Sequence, residues 1–279
     1  MNEITLTSES KIRHPVHLFK EMMNDLAASH ELARRMVIRN IRGQYRQTLL
    51  GMFWAFVPAL GTATLFILLQ KGRVIRVGPT DLPYAVYVIF GIMLWQTFVE
   101  ALNGPITGVI AERAMISKQC VAPESILLAK LGEIIFNFAV RSPVLIAVLI
   151  WFEIPIQWTS VFFVPALLSL ISLGFGLGML LSPLNVLFQD VSKALNVVTG
   201  LWMFLTPIVY PRPREGFFAF LVQLNPVTPL LVTLRELVTR PDLTQLPQFI
   251  FVSILSALGI FVTWIIFRLS MPFMVERMN

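Results

Sequence analysis

Residues Val161–Leu181 read VFFVPALLSLISLGFGLGMLL, an apolar stretch without a single charge. A helix needs about 20 mostly apolar residues to cross roughly 30 Å of hydrocarbon, and this one has that length. Leu49–Leu69, LLGMFWAFVPALGTATLFILL, is uncharged over a similar length. The whole chain of 279 residues carries the same bias, 56% hydrophobic and 14% charged. Counted with Gly and without Tyr, the apolar share is roughly 60%, against roughly 45–50% in soluble domains, where charged residues make up about 25%. Too few charges remain to coat a soluble globule, and too much apolar mass is present for a disordered chain. The composition points to an all-α, polytopic membrane protein.

Outward from these two stretches, four more are predicted as spans: Pro83–Leu102, Leu131–Phe152, Ala194–Tyr210 and Phe249–Phe267. Six spans result. Phe217–Leu234 reads FFAFLVQLNPVTPLLVTL and is broken by Asn225-Pro226 and Pro229. Proline removes a backbone donor and clashes with the preceding turn, which in lipid leaves carbonyls without partners. The expectation is two short outer helices that enter the membrane and return, between spans five and six. Both termini then lie on one side.

Lys and Arg near the membrane set that side. On the terminal side are Arg34, Arg35, Arg39, Arg42, Arg46, Arg113, Lys118, Lys130, Lys193, Arg268 and Arg277. Opposite stand Lys71, Arg73, Arg76, Arg212, Arg214, Arg235 and Arg240. Eleven against seven places the termini in the cytoplasm by the positive-inside rule, with Lys71–Arg76 dissenting. The net charge of +6 is read as contact with anionic lipid rather than with nucleic acid, since the basic residues flank apolar runs. The first forty-odd residues are polar or amphipathic, unlike a cleavable signal peptide. Within them His17–Arg46 spaces Leu18, Met22 and Leu26 helically among many arginines, as an interfacial amphipathic helix does; a helix packed on the protein has the same pattern. The division expected is residues 1–48 as cytoplasmic tail and interfacial helix, and 49–279 as a six-helix transmembrane domain.

Chemistry-bearing residues are sparse. Cys120 is the one cysteine, and His14, His17 and His30 all precede the apolar runs, so no metal or cofactor is expected. The chain has no G-x-x-x-x-G-K-[ST], H-E-x-x-H or G-x-S-x-G, and no catalytic dyad can be assembled at membrane depth. Any work it does is fuelled elsewhere. Arg141 is central to span three, where a charge costs about 2.5–3.5 kcal/mol on insertion scales. Glu133, eight residues earlier, is too far along the helix to pair with it, and Glu100 falls near the end of span two, at the interface. Arg141 either faces a polar path and meets an anionic group, or bonds backbone on a neighbouring span. Trp54, Phe98, Trp202 and Tyr210 are aromatics that either line a path or belong to interface belts. Gly174 and Gly178 have a small-xxx-small spacing that serves close packing within the chain or between copies.

Arg39–Pro58, RNIRGQYRQTLLGMFWAFVP, resembles the entry to span one in permeases of the polysaccharide and polyol-phosphate ABC export family. There a basic pre-helix ending in a YRQ-like element leads into LG-x-x-W-A and a proline. Further matches are ISKQCVAPESILLAKLGE (Ile116–Glu133), LFQDVSKAL (Leu187–Leu195), WMFLTPIVYP (Trp202–Pro211), LNPVTPLL (Leu224–Leu231) and PFMVERM (Pro272–Met278). Their succession covers most of the chain. Cys120-Val121-Ala122 departs from the aromatic residue that usually precedes the proline. The resemblance implies a homodimeric inner-membrane permease that binds two separate ATPase subunits and exports a lipid-linked glycan: O antigen, capsule or teichoic acid. It implies ATPase docking through Glu112, Arg113 and Lys118, and a substrate path past Arg42, Arg46, Trp54, Phe98, Arg141, Trp202 and Tyr210. A permease for a drug or smaller lipid, and a membrane glycan or lipid-phosphate transferase, remain as alternatives at this stage.

Overall fold

The computed structural model describes residues 15–46, 51–75, 78–118, 122–213 and 215–278. Among these every regular element is a helix. Part of the predicted tail, the 48/49 boundary, Arg76, Arg214 and Cys120-Val121 lie outside the described residues.

The N-terminal segment is two helices, α1 (Pro15–Ala28) and α2 (His30–Arg46), joined through Ser29. One face is buried, at Met22, Ala33 and Met36, while Phe19, Met23 and most of the arginines stay exposed. The buried face rests on the protein itself. A Cβ on Gly132 would come within 2.8 Å of Val37, so the absence of a side chain lets α2 close on its neighbour.

A short 3-10 helix (Gly51–Ala55) and α3 (Val57–Lys71) follow. Pro58 occupies the first turn of α3, where its missing donor costs nothing. The helix therefore begins there and not at Leu49, as the hydropathy pattern predicts. Its 15 residues rise about 22 Å, short of the hydrocarbon thickness. Next come α4 (Tyr84–Ala111), α5 (Arg113–Lys118), α6 (Pro123–Trp151), a 3-10 turn (Trp158–Phe162) and α7 (Phe163–Leu187). The chain ends with α8 (Asp190–Phe204), α9 (Phe217–Leu224), α10 (Val227–Thr239) and α11 (Leu246–Met278). Among the described residues four helices are long and apolar enough to cross a membrane, and a fifth crossing results if the bent α9–α10 pair is one span. The predicted first and fifth spans correspond to the short α3 and α8.

The core is built around α4, whose apolar window is 72% buried, against 11% for α11. Helix α7 lies against α4 at backbone distance. A Cβ on Gly174 would sit 2.8 Å from the Phe98 carbonyl oxygen, and one on Gly178 would run into that of Leu102. The small-residue spacing thus serves packing within the chain.

Helices α9 and α10 meet at 80°. Asn225 holds this corner. Its Nδ2 donates to the Leu205 carbonyl (3.2 Å) and Thr206 Oγ1 (2.8 Å), and its Oδ1 accepts from the Val227 amide and Trp202 Nε1, both at 3.0 Å. Every residue of α10 is buried. Irregular backbone is tolerated at membrane depth where protein encloses it, and here protein does so. Arg235, which the sequence reading takes for a loop charge, is inside this helix with its guanidinium 3.6 Å from the centre of the Tyr87 ring.

Contacts divide the bundle into two ends. Arg113 Nε donates to the Met278 carbonyl (2.8 Å), and Arg268 pairs with Asp25, so both terminal helices share an end with the α4–α6 connection. At the other end Asp81 pairs with Arg240 (2.6 Å), and the Gln157 amide donates to the Val238 carbonyl (3.1 Å).

Candidate functional site

Polar residues recur four apart on otherwise apolar helices: Gln96 and Glu100 on α4, Asn137 and Arg141 on α6. A spacing of four puts each pair on one helical face. The two faces meet, joined by Asn196 and Thr199 of α8, Gln44 of α2, and Trp54 beside the start of α3. They enclose an open cavity of about 460 Å³, which Trp95 also lines.

The centre of its charge is an ion pair. Arg141 Nη1 donates to Glu100 Oε1 at 2.6 Å and Nη2 to Oε2 at 2.9 Å, a two-pronged arrangement. Weaker contacts run from Nη1 to Gln96 Oε1 and from Nη2 to Thr97 Oγ1, both 3.4 Å, and Asn137 Nδ2 is 3.5 Å from Glu100 Oε2. The Arg141 side chain is 3% exposed and that of Glu100 32%, so the carboxylate is the more open of the two. Glu100 does not sit apart at the interface, as its sequence position suggests; it is the partner of Arg141. Glu133 is engaged elsewhere, accepting from Asn40 Nδ2 (2.6 Å) and Lys130 Nζ (2.7 Å).

Neutralisation of Arg141 decides the chemistry. The remaining polar lining is carboxamide and hydroxyl: Gln44, Gln96, Asn137, Asn196 and Thr199. These groups both donate and accept, and Asn137 Oδ1 is buried without a partner. Beside them stand two indoles. Trp54 is half exposed, while Trp95 is buried and packs on Phe98 at 5.3 Å between ring centres. Such a surface can exchange hydrogen bonds with a hydroxyl-rich group and offer it a flat apolar face. Among the described residues that line it, it presents no free cation to a phosphate.

The remaining sequence-selected residues spread over the molecule. Arg42 and Arg46 are exposed on α2, flanking Gln44 in sequence. Phe98 is fully buried, 5.4 Å from Trp202, and takes no part in the cavity wall. Trp202 is tied to the Asn225 corner. Tyr210 donates its hydroxyl to the Phe204 carbonyl (2.7 Å), and its own carbonyl accepts from Tyr87 (2.8 Å). Glu112 is buried and pairs with Arg39 of α2. Arg113 is committed to the Met278 carbonyl, and the Lys118 side chain lies outside the described residues. The residues missed by sequence reasoning are Gln44, Gln96, Glu100 as a partner, Asn137 and Asn196. For Gln96, Glu100 and Asn137 the signal was present in the i, i+4 polar pairs, which an average over hydropathy conceals; Gln44 and Asn196 had none.

Residues 31–238 match the family described as "ABC-2 type transporter". The chain is also similar to two proteins named O-antigen export system permease protein RfbA. That of Klebsiella pneumoniae is 25% identical over 230 residues, 81% of this chain and 85% of the relative. That of Myxococcus xanthus is 23% identical over 223 residues, 77% and 83% of the two chains.

Proposed function

The chain belongs to the ABC-2 type transporter family, and on that premise we propose that it is the membrane subunit of an exporter for a lipid-linked polysaccharide. It is a permease and not an enzyme; ATP hydrolysis falls to partner ATPase subunits. The observation that carries the substrate is the cavity beside the Arg141–Glu100 pair, whose amides, hydroxyl and indoles suit sugar hydroxyls better than a naked anion. The two relatives' names point the same way.

A glycan cannot pass through hydrocarbon, because each hydroxyl would lose its water without a replacement. It needs a continuous polar and aromatic path. Two copies of the chain form that path between them, and the energy to open it comes from two ATPase subunits. Arg42 and Arg46, exposed on α2, draw the phosphate head of the carrier lipid to the entrance. Trp54 and the Arg141 cavity receive the first sugars, with Phe98 fixing Trp95 in the wall. Trp202, packed on Trp95 and Phe98, leads from the cavity toward Tyr210, which stands nearer the exit. The ATPases dock at Glu112, Arg113 and Lys118.

In this reading residues 1–48 are the cytoplasmic tail and interfacial segment, and 49–279 form the transmembrane domain. Helices α3 and α8 complete six spans by extending through the turns that flank them. The α9–α10 corner enters from the outer side and returns. The protein resides in the bacterial inner membrane with both termini cytoplasmic, and its cargo is an O antigen, a capsule or a teichoic acid.

The test is reconstitution with a candidate ATPase, followed by ATP hydrolysis with and without lipid-linked glycan. A rise on adding glycan supports the reading. Equal stimulation by a carrier lipid without sugar points to a small-lipid permease, and chemical turnover of a substrate by the permease alone overturns it.

A further inference from the structure

The two members of the Arg141–Glu100 pair are turned unequally toward the cavity. Nearly all of the Arg141 side chain is covered, whereas about a third of the Glu100 side chain is open. The guanidinium is taken up by both carboxylate oxygens and lies near Gln96 and Thr97. A molecule that enters therefore meets the carboxylate end of the pair first. Each Glu100 oxygen accepts from Arg141 and keeps a lone pair for a further donor. Among the described residues that line the cavity, these two are the charged ones; the other polar groups are amides and a hydroxyl.

Arg42 and Arg46 do not offset this inside the cavity. They are exposed on α2, but the residue of α2 that reaches the wall is Gln44. Basic charge thus lies outside, and the open acceptor lies within. A hydroxyl or an ammonium donates to a carboxylate. A second anionic group brings no proton to share with it and is repelled, the more so between apolar walls. Trp54, half exposed on the same wall, offers its indole to the apolar face of a sugar ring.

We propose that Glu100 sorts cargo by charge. The cavity takes sugars whose hydroxyls or amines donate to the Glu100 carboxylate, and it disfavours uronic acids and other sugars that carry a carboxylate or phosphate. This selectivity rests on the glycan reading of the same cavity and narrows its cargo to uncharged or amino-bearing polymers. Glu100 is the specificity-determining residue. Arg141 is a positioning residue, whose two hydrogen bonds fix the carboxylate with its open side toward the substrate.

The probes are two synthetic polyprenyl diphosphates that carry the same trisaccharide, ended by glucose in one and by glucuronic acid in the other. The polyprenyl diphosphate without sugar is the reference. Head and tail are shared, so a difference in affinity reports the one added carboxylate. The full-length permease in phosphatidylcholine nanodiscs is titrated with each by microscale thermophoresis. The wild type is expected to bind the glucose form about tenfold more tightly than the glucuronate form. Glu100→Gln removes the repelling group, and the preference is expected to vanish or reverse. Asn196→Lys adds a cation to the cavity wall at an exposed position of α8 and leaves Arg141 and Glu100 in place. It too is expected to erase the preference, and it decides the matter where Glu100→Gln fails to fold. Equal wild-type affinity for the two sugar forms, both above the reference, overturns the charge filter and leaves glycan export standing; so does a preference for the glucuronate form. No gain over the reference from either sugar overturns both. An undiminished preference in either folded variant overturns the assignment to Glu100.

Discussion

Arg141 and Glu100, 41 residues apart in sequence, face each other across α4 and α6 through two hydrogen bonds of 2.6 and 2.9 Å. Each makes the other tolerable at membrane depth. Breaking a buried pair by removing one partner costs about 3–5 kcal/mol, whereas removing both is often far milder. Arg141→Ala and Glu100→Gln are each expected to lower the melting temperature of the purified protein and to abolish export. Arg141→Met combined with Glu100→Leu is expected to regain most of the melting temperature but not the export. Additive losses in the double variant would show that the two side chains are not coupled.

Trp54 is half exposed, so its truncation removes little buried surface. Trp54→Ala is expected to leave the melting temperature within a degree or two of wild type and to cut glycan-stimulated ATP hydrolysis severalfold. Basal hydrolysis by the reconstituted complex stays unchanged. The two rates, measured side by side, separate an effect on cargo from one on assembly.

Gly178 and Gly200 provide a paired test of the α4–α7 contact. A side chain at Gly178 strikes the Leu102 carbonyl, while nothing lies within 4 Å of a Cβ at Gly200. Overpacking costs about 1–3 kcal/mol, and rigid backbone on the receiving side puts Gly178→Val at or above that range. Gly178→Val is expected to give poor yield and an early-melting protein; Gly200→Val is expected to express normally. Size-exclusion profiles of fluorescent fusions read both.

Asn225→Ala strands the Leu205 carbonyl, the Val227 amide and Trp202 Nε1 together. An unsatisfied buried group costs about 1–3 kcal/mol. Trp202→Phe removes only one of these bonds and is expected to destabilise less. Were the Trp202 variant the worse of the two in thermal unfolding, the ring and not the corner would be the structural element.

Arg39 on α2 holds Glu112, the residue that begins the α4–α6 connection. Arg39 is itself largely exposed but Glu112 is buried, so Arg39→Ala is expected to lower the melting temperature modestly and leave the protein folded. It should lower export per ATP hydrolysed by loosening α2 from the loop proposed to dock the ATPase. An unchanged ratio of transport to hydrolysis removes that loop from the coupling route.

Hydropathy made the helical class and the Asn225-Pro226 break legible, since both depend on local composition and on proline chemistry. It misjudged helix starts. Pro58 placed the beginning of α3 eight residues after the start of the apolar run, because a proline belongs in a first turn and not in an interior one. It also misread Arg235 and Glu100, which look peripheral in sequence and are bound to Tyr87 and Arg141. Partners 41 or more positions away leave no local trace. Only the fourfold spacing of Gln96 with Glu100, and of Asn137 with Arg141, hinted that polar faces on two helices would meet.

Helix α11 has one further consequence. With only 11% of its apolar window covered by protein, most of its surface asks for nothing but greasiness. Substitution of one apolar side chain for another is cheap there. Positions such as Leu255, Leu258 and Val262 are therefore the natural anchor points for a spectroscopic label that reports on the working machine without disturbing it.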